Sequence, residues 1–525
     1  MNSRRTRAQA VAFAAAIFAT TTILSGTASA AGLFADPGDV PDGVSDQKVL
    51  LIDIDGVRWD RLQQANTPNM DALAAEGQIG PSYIHGVDVA RTDSGPGHSN
   101  LLTGTWPDKH GVVDNRFEDN NIEEYPDLLT RLESARSELS TFSILDWEPL
   151  NEHLVGSPDV KVQQSTDGGT KASDRRTTDW AVEALGEQNP DLGYVYLHDV
   201  DHQGHENGAD SSQYVDAVET VDGLVGELVD SVRGRDGYDE EDWLFVVTTD
   251  HGFDGTSHGT NQHRTREIWT LAAGGGVPAA GESDREWKHV DVKPTVLDHL
   301  GVDVESSWDL DGVPIGTSSN DPFDTMRGSL QDVVDEPDKP DDLLGWTKST
   351  PDGWEIDEET PDVGATEYRG WSFMTGQFWA TSHIDQGRES FFRGRDVVAV
   401  ADPDEWDDKG NPTQDDHRLD STLLSPWQDV SGGQEVEVGY YNHYRQVDRD
   451  IDPQKVQLVL IYDTGDEEVL WSADSADGDQ FDISTYEQFN ATAPDDAEQV
   501  RVGWHMYDAA NNFYWAIDDP EITVG

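Results

Sequence analysis

An α/β domain built on a mostly parallel sheet flanked by helices, followed by an all-β sandwich of jelly-roll type, is the architecture this sequence predicts. Three observations carry it. Continuous apolar runs at residues 49–55, 193–198 and 243–250 read as strands buried on both faces, the pattern of a parallel sheet. Between them lie stretches with apolar residues at helical spacing, so strands and helices alternate along the chain. Beyond residue 344 the runs become short and alternate apolar with polar residues between Asp, Gly and Asn turns, as antiparallel sandwiches do.

Taken in order, residues 1–30 read as a secretory signal, because Arg4, Arg5 and Arg7 precede an apolar run to Leu24 and Ala28-Ser29-Ala30 is a small-residue cleavage site. Residues 31–316 form the predicted α/β domain. Its first strand, VLLIDID, ends on Asp55; Thr67-Pro68 then supplies an N-cap and a first-turn proline for a helix over 70–75, and Gly77 stops it. Helices are expected around 125–134 and 178–186, with a strand at 141–145 between them. The strand GYVYLH runs into DVDHQGH, a long helix carries Val215, Val218, Val221, Val225, Leu228 and Val232 at helical spacing, and WLFVVTTD ends on Asp250. A helix over 290–300 closes the domain. Residues 317–344 are rich in Ser, Asp and Pro and read as a linker. The sandwich occupies 345–525, with strands at 436–440, 456–462, 500–504 and 513–517.

Composition narrows the function. Without a single cysteine, the chain has no disulfide, thiolate metal site or cysteine nucleophile. Its 104 acidic against 35 Lys and Arg residues give a formal charge of −69, which loss of Arg4, Arg5 and Arg7 with the leader takes to −72. Such a surface repels nucleic-acid backbones and anionic membranes. After the leader no stretch is apolar and long enough to span a bilayer, so a secreted, extracellular protein is expected. The acidic excess runs along the whole chain and reads as adaptation to high salt, since at about 1 M the Debye length falls to roughly 3 Å.

The stretch TDSGPGHSNLLTGTWPDKHGVVDN, residues 92–115, sets the Ser94 hydroxyl beside a Gly-Pro-Gly turn and ahead of a helical pattern through Leu101 and Leu102. A hydroxyl at a helix N-terminus meets unpaired N–H groups and the positive end of the dipole, which favour a phosphate and an attacking alkoxide. It still needs a base or a metal to ionise. Asp55, Asp201, His205, Asp250, His251 and His258 each lie at or just past the end of an apolar run, where an α/β sheet presents its ligand-binding edge. They are oxygen and imidazole donors without sulfur, a set that zinc accepts in catalytic sites. Two ions about 4 Å apart would clamp an in-line phosphoryl transfer.

IDIDGVR, SGPGHSNLLTG, PDKHGVVDN, DVDHQGH and TTDHGF with its nearby HG together resemble the alkaline phosphatase superfamily, near its nucleotide pyrophosphatase/phosphodiesterase branch. The resemblance covers residues 48–316. It implies an alkaline-phosphatase-like fold and two divalent metal ions, Zn²⁺, with a small phosphate ester as substrate. One ion would sit on Asp55, Ser94, Asp250 and His251, the other on Asp201, His205 and His258, with Asn115 touching a phosphoryl oxygen and a phosphoenzyme forming on Ser94. Two features depart from that branch, which has Thr-Phe-Pro-Asn-His where this chain has Ser94-Gly-Pro-Gly-His98. Its last histidine also lies far downstream, whereas His258 follows His251 by seven positions, with His263 as a substitute.

Each feature has a plainer reading. Ser94 could be an N-cap, His98 and His110 structural, and Asp53 an outer neighbour of Asp55 on the same strand face. Arg91, Lys109, Arg175 and Arg176 read as salt-bridge partners rather than phosphate contacts. Trp346, Trp354, Trp371, Trp379 and Trp504 read as sandwich core, or else as a sugar-binding face. A carbohydrate or a calcium ion is the candidate ligand of the sandwich. A phosphomonoesterase is the alternative function. A sulfatase-like hydrolase ranks lower, because Ser94-Gly-Pro-Gly-His98 lacks that family's arginine, and an inactive binding protein ranks lower because the ligand set is intact.

Overall fold

A computed structural model describes residues 35–279, 281–282, 286–331, 343–408, 417–449 and 452–525. The expected signal at 1–30 and the acidic run at 335–342 lie outside the described residues. The α/β domain holds one eight-stranded sheet made of β1 (Gln47–Ile54), β2 (Gly77–Tyr83), β3 (Thr141–Leu145), β4 (Val160–Gln163), β5 (Leu192–Leu197), β6 (Asp242–Thr248), β7 (Glu267–Gly274) and β8 (Gly281–Glu282). Their order is β4-β3-β5-β1-β6-β7-β2-β8. The first five in that order are mutually parallel, and β7 runs antiparallel to both β6 and β2.

The central strand shows why the apolar runs are continuous. Along β1, Val49 and Leu51 enter one core with Leu101, Leu102, Val296 and Leu300, while Leu50, Ile52 and Ile54 enter another with Val218, Val221, Val225 and Leu228. A strand covered on both faces takes a polar residue only where a buried partner meets it, as His98 and Tyr194 meet Asp53. Because β5, β1 and β6 are parallel neighbours, their C-terminal ends meet on one edge, and there the chain carries Asp55, Asp201 and Asp250.

Some local expectations change. Thr67 precedes the helix Pro68–Glu76 but makes no cap bond; Asp222 of the long helix Ser212–Arg233 accepts from the N–H groups of Asn69 (3.2 Å) and Met70 (2.8 Å) instead. Gly77 ends that helix and at once begins β2, where a Cβ would lie 2.1 Å from the Ala272 carbonyl of β7. The helix expected at 178–186 spans Thr170–Glu187.

Two antiparallel sheets form the sandwich. One runs Glu355–Glu358, Leu419–Leu424, Gln499–Ala509, Lys455–Tyr462, Glu467–Asp474, with Gln428–Asp429 beside the third strand. The other runs Gln480–Thr492, Glu435–Gln446, Trp515–Val524, Val397–Ala401, Ser372–Thr375, Trp346–Thr347. Trp354, Trp371, Trp379 and Trp504 are buried in the core between the sheets and Trp346 packs against it, so these indoles serve as core rather than as an exposed sugar-binding face. A 3₁₀ helix, Phe323–Ser329, within the stretch read as linker, adds Phe323 and Met326 to the same core.

The sandwich is docked on the α/β domain by apolar and ionic contacts. Phe392 lies against Trp106, Arg395 grips Asp291 with two bonds of 2.7 and 2.8 Å, and Arg393 reaches Asp108 at 2.9 Å and Asp311 at 3.1 Å.

Candidate metal centre

Ser94 opens a helix, Ser94–Thr103, every residue of which is buried. The glycines that flank Pro96 let this helix end come close: a Cβ on Gly97 would sit 2.5 Å from the Asp250 carbonyl, and one on Gly95 2.8 Å from the Asp114 carbonyl. The Ser94 hydroxyl therefore lies at the end of β6, with its oxygen 3.3 Å from His251 Nε2.

His251 turns a lone pair toward the site. Its Nδ1 faces the Gly252 carbonyl at 3.0 Å and must donate there, which leaves Nε2 to face Asp250 Oδ2 at 3.3 Å and Asp55 Oδ1 at 3.5 Å. Burial, and then the neighbouring His258, push the His251 pKa down to about 3, so the ring is neutral. Asp250 spends one oxygen on the Gly56 N–H (2.9 Å), and Asp55 spends one on the Tyr196 hydroxyl (2.5 Å). Their other oxygens, Asp250 Oδ2 and Asp55 Oδ1, are buried and lack hydrogen-bond partners.

A second group sits beside the first. Asp201 and His205 are one turn apart on the helix Asp199–Asn207, and His258 follows the Asp250 strand end across a short turn. His205 Nε2 lies 3.1 Å from His258 Nε2 and 3.5 Å from Asp201 Oδ1, and the third edge is 3.8 Å. A tetrahedral ion with bonds of about 2.0–2.1 Å separates its ligand atoms by roughly 3.3 Å, so the triangle has the right size. His205 Nδ1 donates to the Thr256 carbonyl (3.1 Å), and His258 Nδ1 faces Asp93 Oδ1 (3.1 Å) and the Thr92 carbonyl (3.2 Å). The two facing Nε2 atoms must then share one proton or one cation. Asp201 Oδ1 is also buried without a partner, and burial followed by the Asp55 charge raises the Asp201 pKa to about 7.

Three sets of ligand atoms, each within 4.8 Å of one another, summarise the geometry: Asp201, His205 and His258; Asp55, His98 and Asp250; and Asp55, Asp201 and His251. Every sequence-named ligand other than Ser94 is in one of them, and Ser94 is adjacent. The orphaned oxygens fit divalent cations, which would satisfy all of them at once. Asn115 is exposed and its Oδ1 accepts from the Gly95 N–H at 2.6 Å, so its amide NH₂ is left to donate elsewhere. His263 lies outside these sets, with Nε2 3.2 Å from the Tyr83 hydroxyl.

Sequence reasoning missed several contributors. His98, read as structural, donates through Nδ1 to Asp53 (2.8 Å) and turns a buried Nε2 toward Asp250 (3.4 Å) and Asp55 (3.5 Å). Burial opposes its protonation, but Asp53 and Asp250 outweigh it and raise its pKa well above the ordinary value. Asp53 also accepts from Tyr194, as Asp55 does from Tyr196; these tyrosines alternate along β5 and face β1 in register. Asp93 orients His258 and accepts from Arg91 Nε (2.6 Å). The His258 contact pulls Asp93 down to about 2 against the upward push of its burial. Strand alternation already set Asp53 beside Asp55; no spacing rule finds the others, but an acid one position before the nucleophile is a usable signal. His110 is structural, bonded to Asn100 and the Val112 N–H, and the cations Arg91, Lys109 and Arg175 are all in ion pairs.

Several known proteins are similar to the part of the chain that carries this site. Mouse ectonucleotide pyrophosphatase/phosphodiesterase family member 7 is 28% identical over 226 residues, 39% of this chain and 49% of that protein. The rat family member 3 is 24% identical over 237 residues, 41% of this chain and 26% of that protein. The chain thus spans about half the length, or less, of the curated relatives it matches. Among solved structures, murine ectonucleotide pyrophosphatase/phosphodiesterase 5 aligns at a TM-score of 0.38 and 14% identity, covering 50% of this chain and 100% of that one. A 2-O GAG sulfatase aligns at 0.41 and 14%, covering 63% and 80%. Residues 40–304, just over half of the chain, match the Metalloenzyme superfamily, and it is to this family of alkaline-phosphatase relatives that the chain belongs.

Proposed function

We propose that this chain is a metal-dependent hydrolase of phosphoric esters, of phosphodiesterase or nucleotide pyrophosphatase type, with Ser94 as its nucleophile. The observation that supports it most is the Ser94 oxygen at a buried helix N-terminus, 3.3 Å from a neutral His251 and beside two groups of orphaned ligand atoms. Asp55, Asp250, His251 and the Ser94 oxygen would hold one ion, and Asp201, His205 and His258 the other; donors of this type suit Zn²⁺. When bound, two such ions supply Lewis acidity, lowering the pKa of a hydroxyl and offsetting charge on a phosphoryl group.

The chain's own residues do the rest. Ser94 Oγ gives up its proton to solvent and attacks phosphorus, so that an Oγ–phosphorus bond forms as the bond to the leaving alkoxide breaks, and the alkoxide takes up a proton from solvent to leave as the alcohol. Water then cleaves the phosphoserine, restores the hydroxyl and releases the phosphate product. The Asn115 amide, held by the Gly95 N–H, donates to a phosphoryl oxygen. His98 stays protonated between Asp53 and Asp250, and Asp93 keeps His258 in the tautomer that presents Nε2.

The rest of the reading belongs to the same proposal: a secretory leader at 1–30, a catalytic domain at 31–316, a linker at 317–344 whose Phe323–Ser329 segment packs on the sandwich, a sandwich at 345–525, and an acidic surface suited to high salt. Bis(p-nitrophenyl) phosphate, p-nitrophenyl phosphate and p-nitrophenyl sulfate, assayed side by side after chelation and again with Zn²⁺, test the function. The diester should be cleaved fastest, and only with metal. A faster monoester would move the assignment to a phosphatase, and a faster sulfate ester would sink it.

A further inference from the structure

We propose that Asn261 is a positioning residue for the metal centre and that the sandwich, through Asp385, fixes it; the inference rests on the site reading above. Two segments meet at the centre, 87–94 ending in Ser94 and 258–261 beginning with His258, and a seam of hydrogen bonds joins them. The Gly259 N–H donates to the Thr92 carbonyl (3.0 Å), the Thr92 hydroxyl to the Thr260 carbonyl (3.0 Å), and the Val87 N–H to Asn261 Oδ1 (2.7 Å). One end of the seam is the centre itself. The other is Asn261, 3% exposed.

Asn261 is committed on every side. Its side-chain oxygen must face the Val87 N–H, so its amide nitrogen faces out of the α/β domain and donates to Asp385 Oδ1 of the sandwich at 2.9 Å. Its carbonyl accepts from the buried Arg266 Nε at 3.1 Å. Asp385 is itself exposed but sits on a braced turn. It has φ of 62°, a left-handed conformation that Asp and Asn tolerate, and its N–H donates to Glu389 at 3.2 Å. The carbonyls of Gln386 and Gly387 accept from Tyr514 (3.0 Å) and His443 (2.7 Å) of the sandwich core. The same turn presses on the 87–94 segment's start, where a Cβ on Gly86 would meet Ser390 Oγ at 2.6 Å and Glu389 Cγ at 2.7 Å. The spacing between Ser94 and His258 is therefore set from both sides of the domain boundary.

Residues hydrogen-bonded directly to metal ligands are worth about 10–100-fold in metal affinity or activity, and Asn261 acts one step further out, on the segments that carry Ser94 and His258. In the full chain, stripped of metal, Asn261→Ala is expected to weaken Zn²⁺ binding by calorimetric titration and to lower kcat on bis(p-nitrophenyl) phosphate, each by up to about 10-fold. KM should stay within about twofold, since no substrate contact is touched. Asp385→Gly keeps the left-handed turn without strain and removes only the carboxylate, so it should move both readouts the same way by less. Asp385→Asn retains an acceptor and should restore them. An Asp385→Gly protein that binds Zn²⁺ and turns over as the wild type does overturns the sandwich's part, and an unchanged Asn261→Ala overturns the whole inference. If Asn261→Ala does not fold, the Asp385→Gly and Asp385→Asn pair decides it. A wild type that binds no Zn²⁺ overturns the site reading and this inference together.

Discussion

Two buried clusters of charge lie on opposite sides of the domain boundary and are handled in opposite ways. In the sandwich, Arg388 has no exposed side chain, and Asp402 (2.8 Å), Asp404 (3.0 Å) and Glu405 (3.4 Å) surround it. In the α/β domain, Asp55, Asp201 and Asp250 converge with open oxygens, and among the described residues their basic neighbours are imidazoles, with His98 Nε2 3.4 Å from Asp250 and 3.5 Å from Asp55. Burying a carboxylate without a partner costs far more than the net worth of most hydrogen bonds. The first cluster is closed by the chain and serves the fold, whereas the second is met by the chain only from the His98 side and keeps Asp55 Oδ1, Asp201 Oδ1 and Asp250 Oδ2 open.

The sharpest test of that contrast is activity. Ser94→Ala and Asp250→Asn are each expected to lower kcat on a diester by at least about 10³-fold, and the double variant to be no worse than the poorer single one, because residues that act as a unit do not add. Arg388→Met should lower kcat of the folded protein no more than the Asp385→Gly change does, since Arg388 meets the centre only through the turn that carries Asp385. Acid-quenched wild type should carry phosphate on Ser94 by mass spectrometry. Phosphate mapped to Thr92 would break the assignment.

Stability should invert the order. Arg388→Met strands three buried carboxylates, and removing one member of a buried ion pair costs about 3–5 kcal/mol. Asp250→Asn relieves repulsion in the metal-free protein and should leave its thermal midpoint unchanged or raise it by an amount equivalent to about 0.5–2 kcal/mol. Calorimetry in EDTA separates the two, and a large loss for Asp250→Asn would mean the open cluster also serves the fold.

The same contrast explains what could be read from the sequence. Asp55 and Asp250 were legible because an apolar strand covered on both faces ends abruptly in an acid, and the sandwich strands because Val436, Val438 and Tyr440 alternate with polar residues. β2 was not legible: Gln78, Gly80 and Pro81 give it neither an apolar run nor a clean alternation, and it exists because β7 pairs with it. β7 itself is apolar, but its antiparallel direction depends on topology. His98, Asp53 and Tyr196 meet the ligands only in three dimensions, since their partners lie 45 and 141 positions away in the chain. Likewise the partnership of Asn261 with Asp385 spans 124 positions and crosses two domains.

Acidity should move both domains, and metal should separate them. Burial, reinforced by like charges, raises Asp201 in the α/β domain and Asp321 and Asp396 in the sandwich to about 7. The folded state then holds these protons more tightly than the unfolded chain, whose carboxyls titrate near 3.8. The contribution is whole below that value and is lost as pH rises through about 7, so the metal-free thermal midpoint should fall between about pH 5 and 7.5. With Zn²⁺ the fall should flatten, because the ligands must be deprotonated and binding tightens as pH rises. Equal slopes in EDTA and in Zn²⁺ would mean that Asp201 does not take part in binding.

Salt should have the smallest effect and should treat the two clusters alike. With 104 acidic residues against 35 Lys and Arg, 69 negative charges are left unbalanced by Lys or Arg, so the repulsion is spread over the surface. Raising ionic strength from about 0.1 to 1 M shortens the Debye length from roughly 10 to 3 Å, which screens exposed charges and barely touches buried ones. The wild-type midpoint should therefore rise by a few degrees, roughly 2–4 °C for each kcal/mol gained in domains of this size. Arg388→Met and Asp250→Asn should rise in parallel with it. A flat or falling wild-type midpoint would remove the case for a high-salt surface. Preferential rescue of Arg388→Met by salt would show instead that solvent ions reach the Arg388 cluster, and the distinction between a closed and an open cluster would fail there first.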